Sequence, residues 1–129
     1  MTEHEKTILV VEDDPDIREL AVMLLEAVSY RVIAAETADA AYRLLVANPD
    51  WHVDLLFTDV VMPGRLDGID LANAAKKLRP EIKVLYATGF ANLVRDKRDA
   101  ALTGRVLAKP YRPAQLHQEI RALLDEEPC

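Results

Sequence analysis

Five short apolar runs, each ending on a charged or turn-forming residue and separated from the next by a segment with helical spacing, restrict this chain to an alternating α/β architecture. The runs cover residues 8–11, 31–35, part of 51–59, 82–87 and 105–108. In the third, Val53, Leu55, Leu56 and Phe57 are apolar almost without alternation, as expected of a strand buried on both faces. A parallel sheet covered by helices on both sides, a three-layer α/β/α sandwich, is the architecture this pattern predicts.

The intervening segments carry helix signals. Asp14 suits an N-cap and Pro15 the first helical position, with Ile17, Leu20, Ala21, Leu24, Leu25 and Val28 forming the predicted inner face. Thr37 caps a second helix that presents Ala41, Leu44 and Leu45 and stops at Asn48-Pro49. Gly68, Leu71, Ala72, Ala75 and Leu78 share the stripe of a third, with Lys76, Lys77 and Arg79 where cations suit the helix dipole. Residues 91–101 are charged and weakly periodic and are read as a short fourth helix. Pro113 opens the last helix, whose inner face is Leu116, Ile120, Leu123 and Leu124.

At 129 residues the chain is expected to form a single domain, 1–129 with a core of about 7–125, and no effector domain. A formal charge of −6 argues against direct nucleic-acid binding, which rests on Lys and Arg neutralising phosphates. No apolar run approaches the roughly 18 residues of a membrane span, and the first residues lack the basic-then-apolar plan of a signal peptide, so a cytoplasmic location and no membrane contact are expected. The single cysteine, Cys129, excludes an internal disulfide framework, and His4, His52 and His117 are scattered and expected at the surface, without a zinc-ligand pattern. A dinucleotide site is unsupported, because Glu12-Asp13-Asp14 occupies the turn where a Gly-x-Gly-x-x-Gly would stand.

Four of the five predicted strands end on a chemically capable residue: Glu12 and Asp13, Asp59, Thr88, and Lys109. Parallel strands bring those ends to one edge. Three carboxylates in one crevice repel one another and must bind protons or recruit a cation. Oxygen ligands select a hard ion, and few carboxylates plus water and a phosphate oxygen suit Mg²⁺. The expected ligands are Asp13, Asp59 and the backbone carbonyl of Val61, with Glu12 acting from behind them or through water. Lys109 and Thr88 add a point charge and a hydroxyl donor for phosphoryl oxygens, Asp59 is the candidate nucleophile, and Gly89 is read as leaving space for the approach.

As an ordered set, Val-Val-Glu12-Asp13-Asp14-Pro, Thr58-Asp59-Val-Val-Met-Pro63, Ala-Thr88-Gly and Ala-Lys109-Pro110 resembles the signature of response-regulator receiver domains of two-component signalling, over about residues 7–125. The resemblance implies a flavodoxin-like (βα)5 fold with strand order 2-1-3-4-5. It implies that Asp59 accepts a phosphoryl group from a phosphohistidine on a histidine kinase or phosphotransfer protein, with Mg²⁺ required. It also implies that Lys109 pairs with Asp59 or its phosphate, that Lys109-Pro110 is a cis peptide, and that Thr88 moves inward to the phosphate. The loop after the fourth strand, and the face made by the fourth helix, fifth strand and last helix, would then present one surface per state to a downstream protein. Such a protein is a switch and not primarily an enzyme, a monomer or weak dimer, and either a whole single-domain regulator or a receiver excised from a hybrid kinase.

Two departures from the family pattern bear on the switch. Three residues before Lys109, where many receivers carry Tyr or Phe, stands Val106, so the usual aromatic relay is in question. Tyr86-Ala-Thr-Gly-Phe90 resembles a subgroup with aromatics flanking Ala-Thr-Gly, which makes Phe90 a switch candidate beside Thr88 and Val106. Gly64-Arg65 lengthens the loop after Asp59 by one residue relative to the commonest pattern. Val61 and Phe90 offer no group to orient a hydrolytic water, so slow self-dephosphorylation is expected. The alternative from another class is a Mg²⁺-dependent phosphohydrolase with an aspartyl-phosphate intermediate, for which Asp14-Pro-Asp16 supplies a faint Asp-x-Asp echo. A pseudo-receiver used only for binding is disfavoured, because the acidic pair, acceptor, hydroxyl and lysine are all present.

Overall fold

Five parallel strands, β1 (Thr7–Val11), β2 (Arg31–Ala35), β3 (Leu55–Asp59), β4 (Lys83–Thr88) and β5 (Arg105–Ala108), form one sheet in the order β2-β1-β3-β4-β5. They alternate with α1 (Pro15–Glu26), α2 (Ala38–Ala47), α3 (Gly68–Leu78) and α4 (Pro113–Asp125), the four helices among the described residues. The computed structural model describes residues 6–61, 64, 66–89 and 104–125. The expected helix at 91–101, Phe90, His4 and Cys129 lie outside them.

Two cores flank the sheet, because successive strand side chains point to opposite faces. Leu9, Val11, Leu56, Val84 and Tyr86 face α2 and α3, meeting Leu45, Leu71 and Ala72. Ile8, Val10, Leu55, Phe57 and Leu85 face α1 and α4, meeting Ala21, Leu25, Leu116 and Ile120. β1 and β3 are buried along their whole length, which is why their sequences read as continuous apolar runs. β2 and β5 are the two edges, and their residues are correspondingly more exposed. Among the described residues no helix is long and apolar enough to cross a membrane.

The helix starts follow the sequence. Asp14 accepts the N–H groups of Asp16 and Ile17 and caps α1 (2.9 and 3.2 Å), and Thr37 Oγ1 accepts the Ala40 N–H at the start of α2. The predicted inner faces are narrower than expected. Leu20 is 53 % exposed and Val28 44 %, because α1 ends at Glu26 and covers its sheet face through Ala21 and Leu25. Leu78, the last residue of α3, is also largely exposed, and Ile69, which the stripe omitted, is buried.

Arg79 and His117 also depart from expectation. Arg79 does more than complement the α3 dipole: Nε donates to the Trp51 carbonyl (2.8 Å) and Nη2 to those of Asn48 (2.9 Å) and Leu45 (3.3 Å). It therefore joins the end of α2, the entry to β3 and the end of α3. His117, expected at the surface, is half-buried with Nε2 3.0 Å from the Leu24 carbonyl of α1. His52 is exposed as expected, beside Asp54.

Candidate functional site

The three consecutive acidic residues after β1 separate into three roles. Glu12 is buried, held by its N–H to the Ala35 carbonyl (3.1 Å) and by Arg18 Nη1 on its own carbonyl (2.8 Å). Its Oε2 accepts the Asp14 N–H (3.1 Å). Asp13 is exposed at the rim, and Asp14 is committed to the α1 cap. Asp16 is exposed in the first helical turn, so Asp14-Pro15-Asp16 is a helix start and carries no support for the phosphohydrolase reading.

Asp59 is the last residue of β3 and only 6 % exposed. Its position is fixed from behind by close backbone packing: Gly68 N–H donates to the Val60 carbonyl (2.8 Å), and a Cβ on Gly68 would overlap the Asp59 carbonyl. Thr88 is buried at the end of β4 and pairs in register with Ala108, and the Lys109 N–H donates to the Thr88 carbonyl (3.0 Å). The Lys109-Pro110 peptide is cis, as the resemblance implied. Val61, two residues past Asp59, has a 61 % exposed side chain. At Gly89 a Cβ would meet nothing within 4 Å among the described residues, so the space there does not depend on the missing side chain.

Lys109 crosses the sheet edge to the acidic residues. Its Nζ lies 2.7 Å from Asp59 Oδ1 and 2.9 Å from Glu12 Oε1. Asp59 Oδ1 is buried and meets that ammonium as an ion pair. Burial, opposed by Lys109 and reinforced by Glu12, pushes the Asp59 carboxyl from its ordinary 3.8 up to about 7. Burial alone would lower the Lys109 pKa, but its contacts with Asp59 and Glu12 outweigh that and raise it.

Glu12, Asp13 and Asp59 each offer one oxygen, and these oxygens lie within 4.8 Å of one another. Ligands about 2.1 Å from a common Mg²⁺ stand up to roughly 4.2 Å apart, so small side-chain adjustments suffice to close on one ion. An all-oxygen donor set, two of its three carboxylates buried, fits a hard divalent cation.

Two residues of this neighbourhood escaped the sequence reading. Arg18 sits one turn beyond the α1 cap, and nothing in that spacing says that it reaches the Glu12 carbonyl. Tyr111 packs edge-on against Phe57, with centroids 5.9 Å apart, and is pushed up to about 12 by burial and by the Glu12 charge. The signal available for Tyr111 was only an aromatic two residues after Lys109. Val106 is half-buried, and in register it pairs with the fully buried Tyr86 of β4, so the aromatic of this layer comes from the neighbouring strand.

Residues 8–121 match the family described as the response regulator receiver domain. The response regulator receiver protein CpdR of Brucella abortus is 38 % identical over 120 residues, covering 92 % of this chain and 97 % of CpdR. A receiver domain from Clostridium thermocellum superimposes with a TM-score of 0.81 at 26 % identity, covering 93 % and 94 % of the two chains. TrrA of Thermotoga maritima, solved in complex with Mg²⁺-BeF, has a TM-score of 0.79 at 28 % identity, with 92 % and 99 % covered. Other relatives are longer: the chain spans 18 % of NtrX from Azorhizobium caulinodans and 48 % of GtcR from Aneurinibacillus migulanus. With the sheet order, the carboxylates at the strand ends and the bridging lysine already in place, these likenesses make the chain a member of the response regulator receiver domain family, a phosphorylation-dependent switch of two-component signalling.

Proposed function

We propose that Asp59 is the residue phosphorylated, by transfer from a phosphohistidine on a histidine kinase or phosphotransfer protein, and that Mg²⁺ is the cation of the site. The observation that supports this most directly is the Lys109 ammonium 2.7 Å from Asp59 and 2.9 Å from Glu12. Such an arrangement holds a cation beside an ionisable carboxylate at the open edge of the sheet.

In the transfer, an ionised Asp59 oxygen attacks the phosphorus, the donor's P–N bond breaks, and its electron pair leaves with the imidazole nitrogen, which takes a proton from solvent. The product is an acyl phosphate on Asp59. Lys109 offsets the charge gathering on the phosphoryl oxygens, and the Thr88 hydroxyl, buried at the end of β4, donates to one of them. Asp13, Asp59 and the Val61 carbonyl, with Glu12 from behind them or through water, would hold Mg²⁺, which would supply positive charge against the clustered carboxylates and the incoming phosphoryl group. Phosphorylation then changes the surface offered to a downstream protein in a cytoplasmic setting.

Intact-mass measurement after incubation with Mg²⁺ and a small phosphodonor tests the reading. The wild type is expected to gain the mass of one phosphoryl group and keep it after the donor is removed, because the apolar Val61 orients no hydrolytic water. Asp59→Asn, and wild type with chelator, are expected to gain none. A gain that persists in Asp59→Asn overturns the assignment.

A further inference from the structure

The connection from Asp59 to α3 is tied to α2 by a contact remote in sequence. The Leu66 N–H donates to Asp39 Oδ1 at 3.2 Å, 27 residues away. Asp39 stands in the first turn of α2, whose start is fixed by the Thr37 cap. In the same connection Gly64 has a φ of +107°, and a Cβ there would come within 2.8 Å of Asp39 Oδ2. The left-handed backbone favours glycine there, and a side chain would displace the Asp39 carboxylate. At its other end the connection is closed by the Gly68 N–H on the Val60 carbonyl, 2.8 Å. Val61, whose carbonyl is an expected cation ligand, lies between these two anchors.

We infer that Asp39 is a positioning residue of the Asp59 site: by accepting the Leu66 N–H, close beside Gly64, it steadies the connection that carries the Val61 carbonyl, and thereby sets the affinity for the cation. Asp39 belongs to α2 and is no member of the Glu12, Asp13 and Asp59 cluster, so it acts through main chain alone. The inference rests on the cation reading given above. It assigns a reason to the glycine at position 64, in the stretch where this loop is longer than the common pattern. Loss of a group that orients a metal ligand typically costs about 10–100-fold in metal affinity.

Calorimetric titration of the metal-free full chain with Mg²⁺ tests it. Asp39→Ala is expected to weaken binding about tenfold, and Asp39→Asn, which keeps an acceptor oxygen for the Leu66 N–H, to stay within about threefold of wild type. Gly64→Ala disturbs the same contact from the other side, so its effect and that of Asp39→Ala should be markedly non-additive in the double variant. Arg79→Ala, which loosens the opposite end of α2, is the control: a lowered melting temperature with unchanged Mg²⁺ affinity. Wild-type affinity in Asp39→Ala, or an equal loss in Arg79→Ala, overturns the positioning role. A wild type that binds no Mg²⁺ overturns the cation reading itself, and this inference with it, so the two failures are told apart.

Discussion

The Asp59 carboxyl, raised to about 7 against an ordinary 3.8, holds a proton in the folded chain over a pH range in which the unfolded chain has lost it. Stability contributed by this group is therefore fully present below about pH 4 and is lost as pH rises toward 7. Lys109 is raised too, and its contribution persists until the pH passes above its ordinary value of 10.5. In metal-free solution Asp59→Asn, which cannot ionise, is expected to be more stable than wild type at pH 8 by about 1–2 kcal/mol, and near parity at pH 5. The value of about 7 is already net of the favourable pairing with Lys109, which lowers it against burial and Glu12. Saturating Mg²⁺ should reverse the order, since it binds the folded wild type. Thermal melts at the two pH values, with and without Mg²⁺, decide this; a metal-free variant no more stable at pH 8 than at pH 5, relative to wild type, would refute it.

At the scale of elements, α3 meets the end of β3 at Gly68, with no room for a side chain between them. A Cβ there would overlap the Asp59 carbonyl, and neither partner has room to move, because Gly68 is also bonded to Val60 and stands just behind the Asp67–Asp70 capping box. Gly68→Ala is expected to cost about 2–3 kcal/mol, read as a lower urea midpoint at unchanged slope. A wild-type midpoint would mean that α3 shifts freely relative to the acceptor strand. Most element boundaries were readable because they depend on local chemistry: Asp14 and Thr37 cap, Pro15 and Pro113 begin helices, and β1 and β3 are apolar throughout. The width of a buried face was not readable. Leu20 has the right spacing on α1, yet whether it meets the sheet depends on how the helix rolls against its neighbours.

Across the whole molecule, two cores on either side of one sheet make all the crevice residues ends of strands that cannot move independently. At the opposite edge, away from the crevice, Arg79 bonds three carbonyls of the α2 end and the connection into β3. Its replacement by Ala removes a donor from the Trp51 and Leu45 carbonyls, while that of Asn48 keeps the Trp51 N–H, at an expected cost of about 2 kcal/mol in chemical denaturation. A loss well under 0.5 kcal/mol would make the clamp incidental, as surface contacts often are.

What the sequence determined by itself was the order of elements and the chemistry at the strand ends, because apolar periodicity, caps and turn residues act over a few neighbours. The strand order 2-1-3-4-5 could be stated beforehand only through resemblance to a family; the pairing in the sheet shows it. Tertiary structure alone decided that Glu12, and not Asp14, joins Asp59 as a buried partner of Lys109. It also decided that Arg18 and Tyr111 frame the crevice, that Tyr86 stands beside Val106, and that Asp39 reaches the loop after Asp59. Each of these contacts joins segments distant in the chain or depends on how one element lies against another. Such contacts form only when packing of the two cores sets helix and strand against each other, and no local pattern records the distance that results.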